Sequence, residues 1–237
     1  MKTLCVLFAF VACTCLAQTK GFPRTSEGRP NFSGSYEWPK SIGGEQCRCS
    51  ATVFDRKSFA PLKPGGEPFF EPHTGDPRHD EPRDFCMPAG FPSGMLSANA
   101  MQFFQTKEYL AVASEFAHTT RTIYLNGTGH LPDIEFWMGD SRARWEGETL
   151  VVDVANFNAD TWLDMSGNFH SEKMRVVERM TRVAPDELRY EATITDPQVY
   201  TRPWTIRMPL YLHREPDAQL FEYECHVYLE DEAKVKK

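Results

Sequence analysis

Lys173–Thr195 reads KMRVVERMTRVAPDELRYEATIT. In its second half, Leu188, Tyr190, Ala192 and Ile194 fall on one side of an extended chain. Arg189, Glu191, Thr193 and Thr195 fall on the other. Alternation with a period of two marks a half-buried strand. Ala184-Pro185-Asp186 interrupts the pattern and predicts a hairpin turn. The first half, Lys173–Val183, alternates as well, with Met174, Val176 and Met180 on one face. Glu178 shares that face. A carboxylate among apolar side chains is costly unless it is paired. Glu178 is therefore expected either to meet an arginine such as Arg144, or to be a general acid or base with a raised pKa.

The same signals recur outward from this hairpin. Strands are predicted at Met101–Gln105, Glu108–Phe116 and His118–Leu125, followed by a turn at Asn126-Gly127. Ser141–Glu146 and Glu148–Val154 flank Gly147 as a second hairpin. Val199–Leu212 and Gln219–Tyr228 complete the set, the latter with Phe221, Tyr223, Cys225 and Val227 facing inward. An early strand is predicted near Ser33–Trp38. Short strands at regular spacing, with no long helical periodicity, predict a mainly β fold and a single antiparallel β-barrel. Residues 18–98 are rich in Pro, Gly and charge and predict a loop-rich N-terminal wrap. Residues 99–237 would form the barrel core.

The 237-residue chain carries a net charge of −7 and no basic stripe, which argues against nucleic acid and anionic membrane surfaces as partners. Lys2, the apolar run Leu4–Leu16 and the small-x-small end Cys15-Leu16-Ala17 predict a signal peptide over residues 1–17. Lipidation at Cys13 is the alternative. The protein is thus expected to be exported, secreted or periplasmic. No later apolar run is long enough to span a membrane. In an oxidising compartment Cys47, Cys49, Cys86 and Cys225 read as disulfide candidates. The scheme expected pairs one of Cys47 and Cys49 with Cys86 and the other with Cys225. A four-thiolate zinc or copper site is the alternative, without the C-x-x-C spacing such sites favour. Nothing in the sequence sets an oligomeric state.

Candidate chemistry concentrates in Trp137–Glu178. Three of the five tryptophans lie there, beside titratable and amide side chains. Trp137, Asp140, Ser141, Asn156, Asn158, Trp162 and Phe169 are candidate substrate-binding residues, offering flat apolar walls and a few polar atoms. Trp145 and Trp204 fall inside strands and are expected in the core. His170 is the candidate general base, Asp164 its orienting carboxylate and Glu178 a supporting acid. Ser141 and Ser171 lack a nucleophile elbow. His73, His79, Asp80, His118 and His130 show no metal-ligand spacing, and Asn156–Asp160 fails as an EF-hand because Thr161 and Gly167 stand where Gly and Glu are required. Neither a metal nor a cofactor is expected.

Several motifs carry a family resemblance. Gly28-Arg-Pro-Asn-Phe-Ser-Gly34, Trp137-Met-Gly-Asp-Ser141 and Trp145-Glu-Gly-Glu-Thr-Leu-Val-Val152 resemble a widespread family of exported bacterial proteins. Asn156-Phe-Asn158, Thr161-Trp-Leu-Asp164, His170-Ser171 and Glu222-Tyr-Glu-Cys225 follow the same pattern, which covers most of the mature chain. The resemblance implies export but no chemistry, and a His often stands in the family where this chain has Asp140. Phe32-Ser-Gly34-Ser-Tyr36 also resembles the first strand of lipocalin-like (calycin) barrels. Together these readings predict an exported protein with a pocket for a small hydrophobic or ring-bearing molecule. The activity expected is acid–base catalysis of the lyase, isomerase or cyclase type. The alternatives are a lipocalin-like binding or transport protein and a structural envelope protein.

Overall fold

A computed structural model describes residues 21–37, 60–65, 85–96, 99–116, 119–163 and 168–225. The predicted signal segment, Cys47, Cys49, His73, His79, Asp80, His118 and Asp164 lie outside the described residues. Nine strands close into one barrel: β1 (Gly34–Glu37), β2 (Met101–Gln105), β3 (Tyr109–Ser114), β4 (Thr120–Tyr124), β5 (Asp140–Glu146), β6 (Thr149–Ala155), β7 (Arg175–Ala184), β8 (Glu187–Thr195) and β9 (Trp204–Leu212). The mainly β barrel expected from the alternation is therefore present. Its topology differs from a wholly antiparallel one at a single joint, because β4 and β5 run parallel. Parity explains why. Nine strands in strict up-down order would leave β1 and β9 parallel, and one internal reversal lets them close antiparallel. The Asn126-Gly127 turn accordingly begins a long crossover, residues 125–139, instead of a hairpin.

Side-chain parity follows the sequence pattern. Val176, Glu178, Met180 and Arg182 of β7 are buried, opposite Ile194, Ala192, Tyr190 and Leu188 of β8. Trp204, Ile206, Met208 and Leu210 of β9 extend this layer, and Met101, Phe103, Leu110, Val112 and Ile123 fill the opposite wall. Outward positions carry charge and hydroxyls. Arg207 donates to Glu191 at 2.8 Å, Arg179 lies 3.0 Å from Glu146, and Thr193 and Thr205 hydrogen-bond across the strands. Gly147 turns β5 into β6 with φ near 61°, a backbone region that favours glycine.

The N-terminal wrap contributes a plug. Residues 89–96, with a 3-10 turn at Ser93–Met95, are buried against one end of the barrel. Phe91 stacks on Phe157 with ring centroids 6.2 Å apart. Gly90 lies so close to Thr161 that a Cβ at that position would come within 2.2 Å of its hydroxyl oxygen. Two expectations are overturned here. Residues 219–224 form no strand, and Phe221 is 71% exposed instead of facing inward. The alternation there reflects a segment hung alongside the barrel. Its anchor is a disulfide between Cys86 and Cys225, which also replaces the pairing expected for these two cysteines. The bridge ties the wrap to the C-terminal segment across 139 residues.

Candidate functional site

The crossover between β4 and β5 builds a pocket. Parallel pairing of these strands is confined to Ile123 with Ser141 and Tyr124 with Arg142. Beyond that contact the two strands part, leaving a notch of about 360 Å³. Tyr124, Leu131, Phe136, Trp137 and Met138 give it apolar walls, while Thr120, Thr122, Asp140 and Ser141 add polar atoms. Arg121 and Arg142 also border it. The volume and mixed lining are those of a small-molecule site.

Two stretches of the candidate substrate-binding residues, Trp137–Ser141 and Asn156–Asn158, meet here. Phe136 and Phe157 form a parallel bridge, Phe136 donates its N–H to the Asn156 carbonyl at 2.8 Å, and Asn158 donates its own to the Phe136 carbonyl at 3.2 Å. The Asn156 side chain donates to the Leu131 carbonyl. Asn156, in the left-handed region with φ 60°, and Asn158 thus hold the pocket wall from behind. Trp137, Asp140 and Ser141 line the pocket directly. Trp162 and Phe169 pair with each other in a separate short bridge and do not line it.

Asp140 organises the base of the crossover. It accepts from the Leu131 N–H at 2.9 Å, lies 2.9 Å from Arg142 and meets the His130 Nδ1 at 3.2 Å. Burial opposes its charge, but the Leu131 amide, Arg142 and His130 outweigh burial and hold its carboxyl below the usual carboxylate range. Arg142 in turn lies over the Tyr124 ring, 4.6 Å from its centroid. His130 Nε2 approaches Asp153 at 3.3 Å.

Glu178 is resolved in favour of an ion pair, but with Arg121 instead of Arg144. Arg121 donates from Nη1 to one Glu178 oxygen at 3.0 Å and from Nη2 to the other, and its Nε donates to Ser141 at 2.9 Å. Both side chains are buried, and Phe91 of the plug lies 4.0 Å from the guanidinium carbon. The Tyr190 hydroxyl sits beside the pair without reaching hydrogen-bond geometry, and burial together with the Glu178 charge pushes its pKa well above the usual range. Arg144 faces outward, 2.6 Å from Glu146.

His170 is buried elsewhere. Its Nδ1 lies 3.2 Å from the Ser171 carbonyl, which can only accept, so Nδ1 carries the proton. Its Nε2 accepts from the Thr161 hydroxyl at 2.8 Å, and the Phe157 ring packs edge-on against it. Burial holds the imidazole below the ordinary histidine range, which the Ser171 carbonyl and the Asp196 charge oppose without overcoming. Among the described residues no hydrogen bond or ion pair connects His170 with Glu178. Ser171 is committed too, donating from its N–H and hydroxyl to Asp196. Trp145 is only partly buried, with Phe32 at 5.5 Å on its inner side and Arg29 at 5.7 Å.

Sequence reasoning missed Arg121 and Arg142. Arg121 had a legible signal, because it shares an inward face with Ile123 on β4, as Glu178 does with its neighbours on β7. Among the described residues no helix is long and apolar enough to cross a membrane. No protein-family model, curated protein or solved structure matches the chain.

Proposed function

We propose that this is an exported binding protein that holds a small, ring-bearing, largely apolar molecule in the notch between β4 and β5. One observation carries the reading: the parting of the two parallel strands leaves a pocket whose walls are Tyr124, Leu131, Phe136, Trp137 and Met138. Flat aromatic side chains give large contact area to ring systems at low entropic cost. The backing hydrogen bonds from Asn156 and Asn158 keep the wall in place before any ligand arrives, which favours affinity. Export is supported by the signal-like N-terminus, by the resemblance to exported bacterial proteins and by the Cys86–Cys225 disulfide.

Binding is favoured over acid–base turnover by the state of the candidate catalytic groups. Both nitrogens of His170 are engaged by Thr161 and Ser171, and both oxygens of Glu178 by Arg121. A general base must reach a substrate proton, and neither group borders the pocket.

Native mass spectrometry of the purified protein tests the proposal. The expected result is a retained small molecule of defined mass, lost on Trp137→Ala while the far-ultraviolet circular dichroism is unchanged. A wild-type protein that carries no added mass and binds no ring-bearing probe would overturn it.

A further inference from the structure

We infer that the ligand of the β4–β5 pocket is electrically neutral and carries a hydroxyl or carbonyl oxygen on its ring system. The inference rests on the binding function proposed above and adds the chemical class of the ligand.

It follows from which polar groups around the pocket are already committed. Three charged residues line the pocket, Arg121, Asp140 and Arg142, and each is matched by an opposite charge, Arg121 by Glu178 from outside the lining. Arg121 is bound to both oxygens of Glu178, with Ser141 on its Nε and the Phe91 ring against its face. Arg142 is bound to Asp140, its Nη1 reaches the Thr128 hydroxyl, and its guanidinium lies over Tyr124. Asp140 also takes the Leu131 amide and His130. Each guanidinium group is thus already matched by a carboxylate. The neutral polar groups are in the opposite condition. Thr120 and Thr122 are exposed, Trp137 is half-buried, and all three line the pocket with no protein partner on their side-chain polar atoms among the described residues, so a ligand would replace only water there.

An ionic ligand would bring a charge into a half-enclosed, mainly apolar notch where every counter-charge is already engaged. It would remain unpaired or would have to displace Glu178 or Asp140 from its arginine. Both routes are unfavourable. A neutral oxygen needs only one of the uncommitted donors and leaves both ion pairs in place.

Isothermal titration calorimetry at neutral pH with three probes of one ring system tests this: naphthalenemethanol, naphthoate and naphthylmethylammonium. The alcohol is expected to bind at least about tenfold more tightly than either ion. Joint substitution of Thr120→Val and Thr122→Val should weaken the alcohol about fivefold, near the worth of one neutral hydrogen bond, and leave naphthalene itself unchanged. Tighter binding of naphthoate or of the ammonium probe overturns the neutral-ligand inference and leaves the pocket reading standing. Absence of binding by all three overturns both. Unchanged alcohol affinity in the double valine variant overturns the assignment of the polar contact to the β4 threonines.

Discussion

Glu178→Leu should be among the most damaging single substitutions in the barrel wall. The change leaves Arg121 with its charge, buried, held only by the Ser141 hydroxyl and the Phe91 ring. One hydrogen bond and one cation–π contact contribute roughly 1–3 kcal/mol together. They cannot replace two charge-assisted bonds to a carboxylate. Removing one partner of a buried pair costs about 3–5 kcal/mol. For a chain of this size that is a fall in Tm of roughly 6–20 °C. The decisive comparison is the double variant Arg121→Met, Glu178→Leu, which removes both charges and keeps apolar volume. It should recover to within about 1 kcal/mol of the wild type, since buried pairs are replaced by apolar side chains with little loss. Arg179→Ala, which breaks the exposed contact with Glu146, should cost under about 1 kcal/mol. Urea denaturation followed by tryptophan fluorescence, with the single variant Arg121→Met measured alongside, gives the values for the wild type and all four variants. A loss below about 1 kcal/mol in Glu178→Leu, or a double variant as unstable as the sum of the singles, would refute the reasoning.

Three further outcomes are expected. Gly90→Ala places a Cβ 2.2 Å from the Thr161 hydroxyl oxygen at a φ of 72°, and should cost about 2 kcal/mol or more in denaturant. Gly127→Ala, at a φ of 75° with open space around it, should cost only the backbone strain of about 1–2 kcal/mol, and equal losses would show that the plug does not press on Thr161. Peptide mapping without reductant should recover Cys86 linked to Cys225, and Cys225→Ser should lower stability by about 4–5 kcal/mol for a loop of 139 residues; a linkage of either cysteine to Cys47 or Cys49 would contradict the fold. Burial holds the folded His170 imidazole below its unfolded pKa of 6.5, so around that pH the unfolded chain binds more protons than the folded one. Its contribution is therefore intact above pH about 6.5 and declines as pH falls below that value. His170→Gln should flatten this part of the stability–pH curve, and an unchanged slope would exclude His170 as its source.

The strand faces were legible because a period of two survives whatever the neighbours are. Glu187–Thr195 shows this, its boundaries and its two faces following directly from the alternation. The hidden charge was legible for the same reason, since Glu178 broke the pattern on its face. Its partner was harder to read. Arg144 is nearer in sequence, but it sits on the outward parity of β5, whereas Arg121 is inward on β4. The segment Gln219–Cys225 misled because alternation reports only that a strand could form. Whether a tenth strand finds a place depends on barrel closure, and β1 already occupies the edge of β9. The β4–β5 reversal was illegible for a related reason: Asn126-Gly127 is a hairpin signal locally, and only the parity of nine strands makes it the start of a crossover. Trp137, Asp140 and Ser141 were found in the pocket because they cluster in sequence, while Tyr124 and Arg121 join it from a strand whose neighbour is set by topology.

The parallel joint has a mechanical consequence. Among the described residues, β4 with β5 and β1 with β9 are each joined by only two facing residue pairs, whereas β5 to β9 are bound by long ladders. The barrel is therefore two leaves, β1–β4 and β5–β9, stitched along two narrow seams. Arg121 belongs to one leaf and Glu178 to the other, so their ion pair is a rivet through the interior. Amide hydrogens beside the seams should exchange first, and the leaves should part along the very edge where the ligand notch lies.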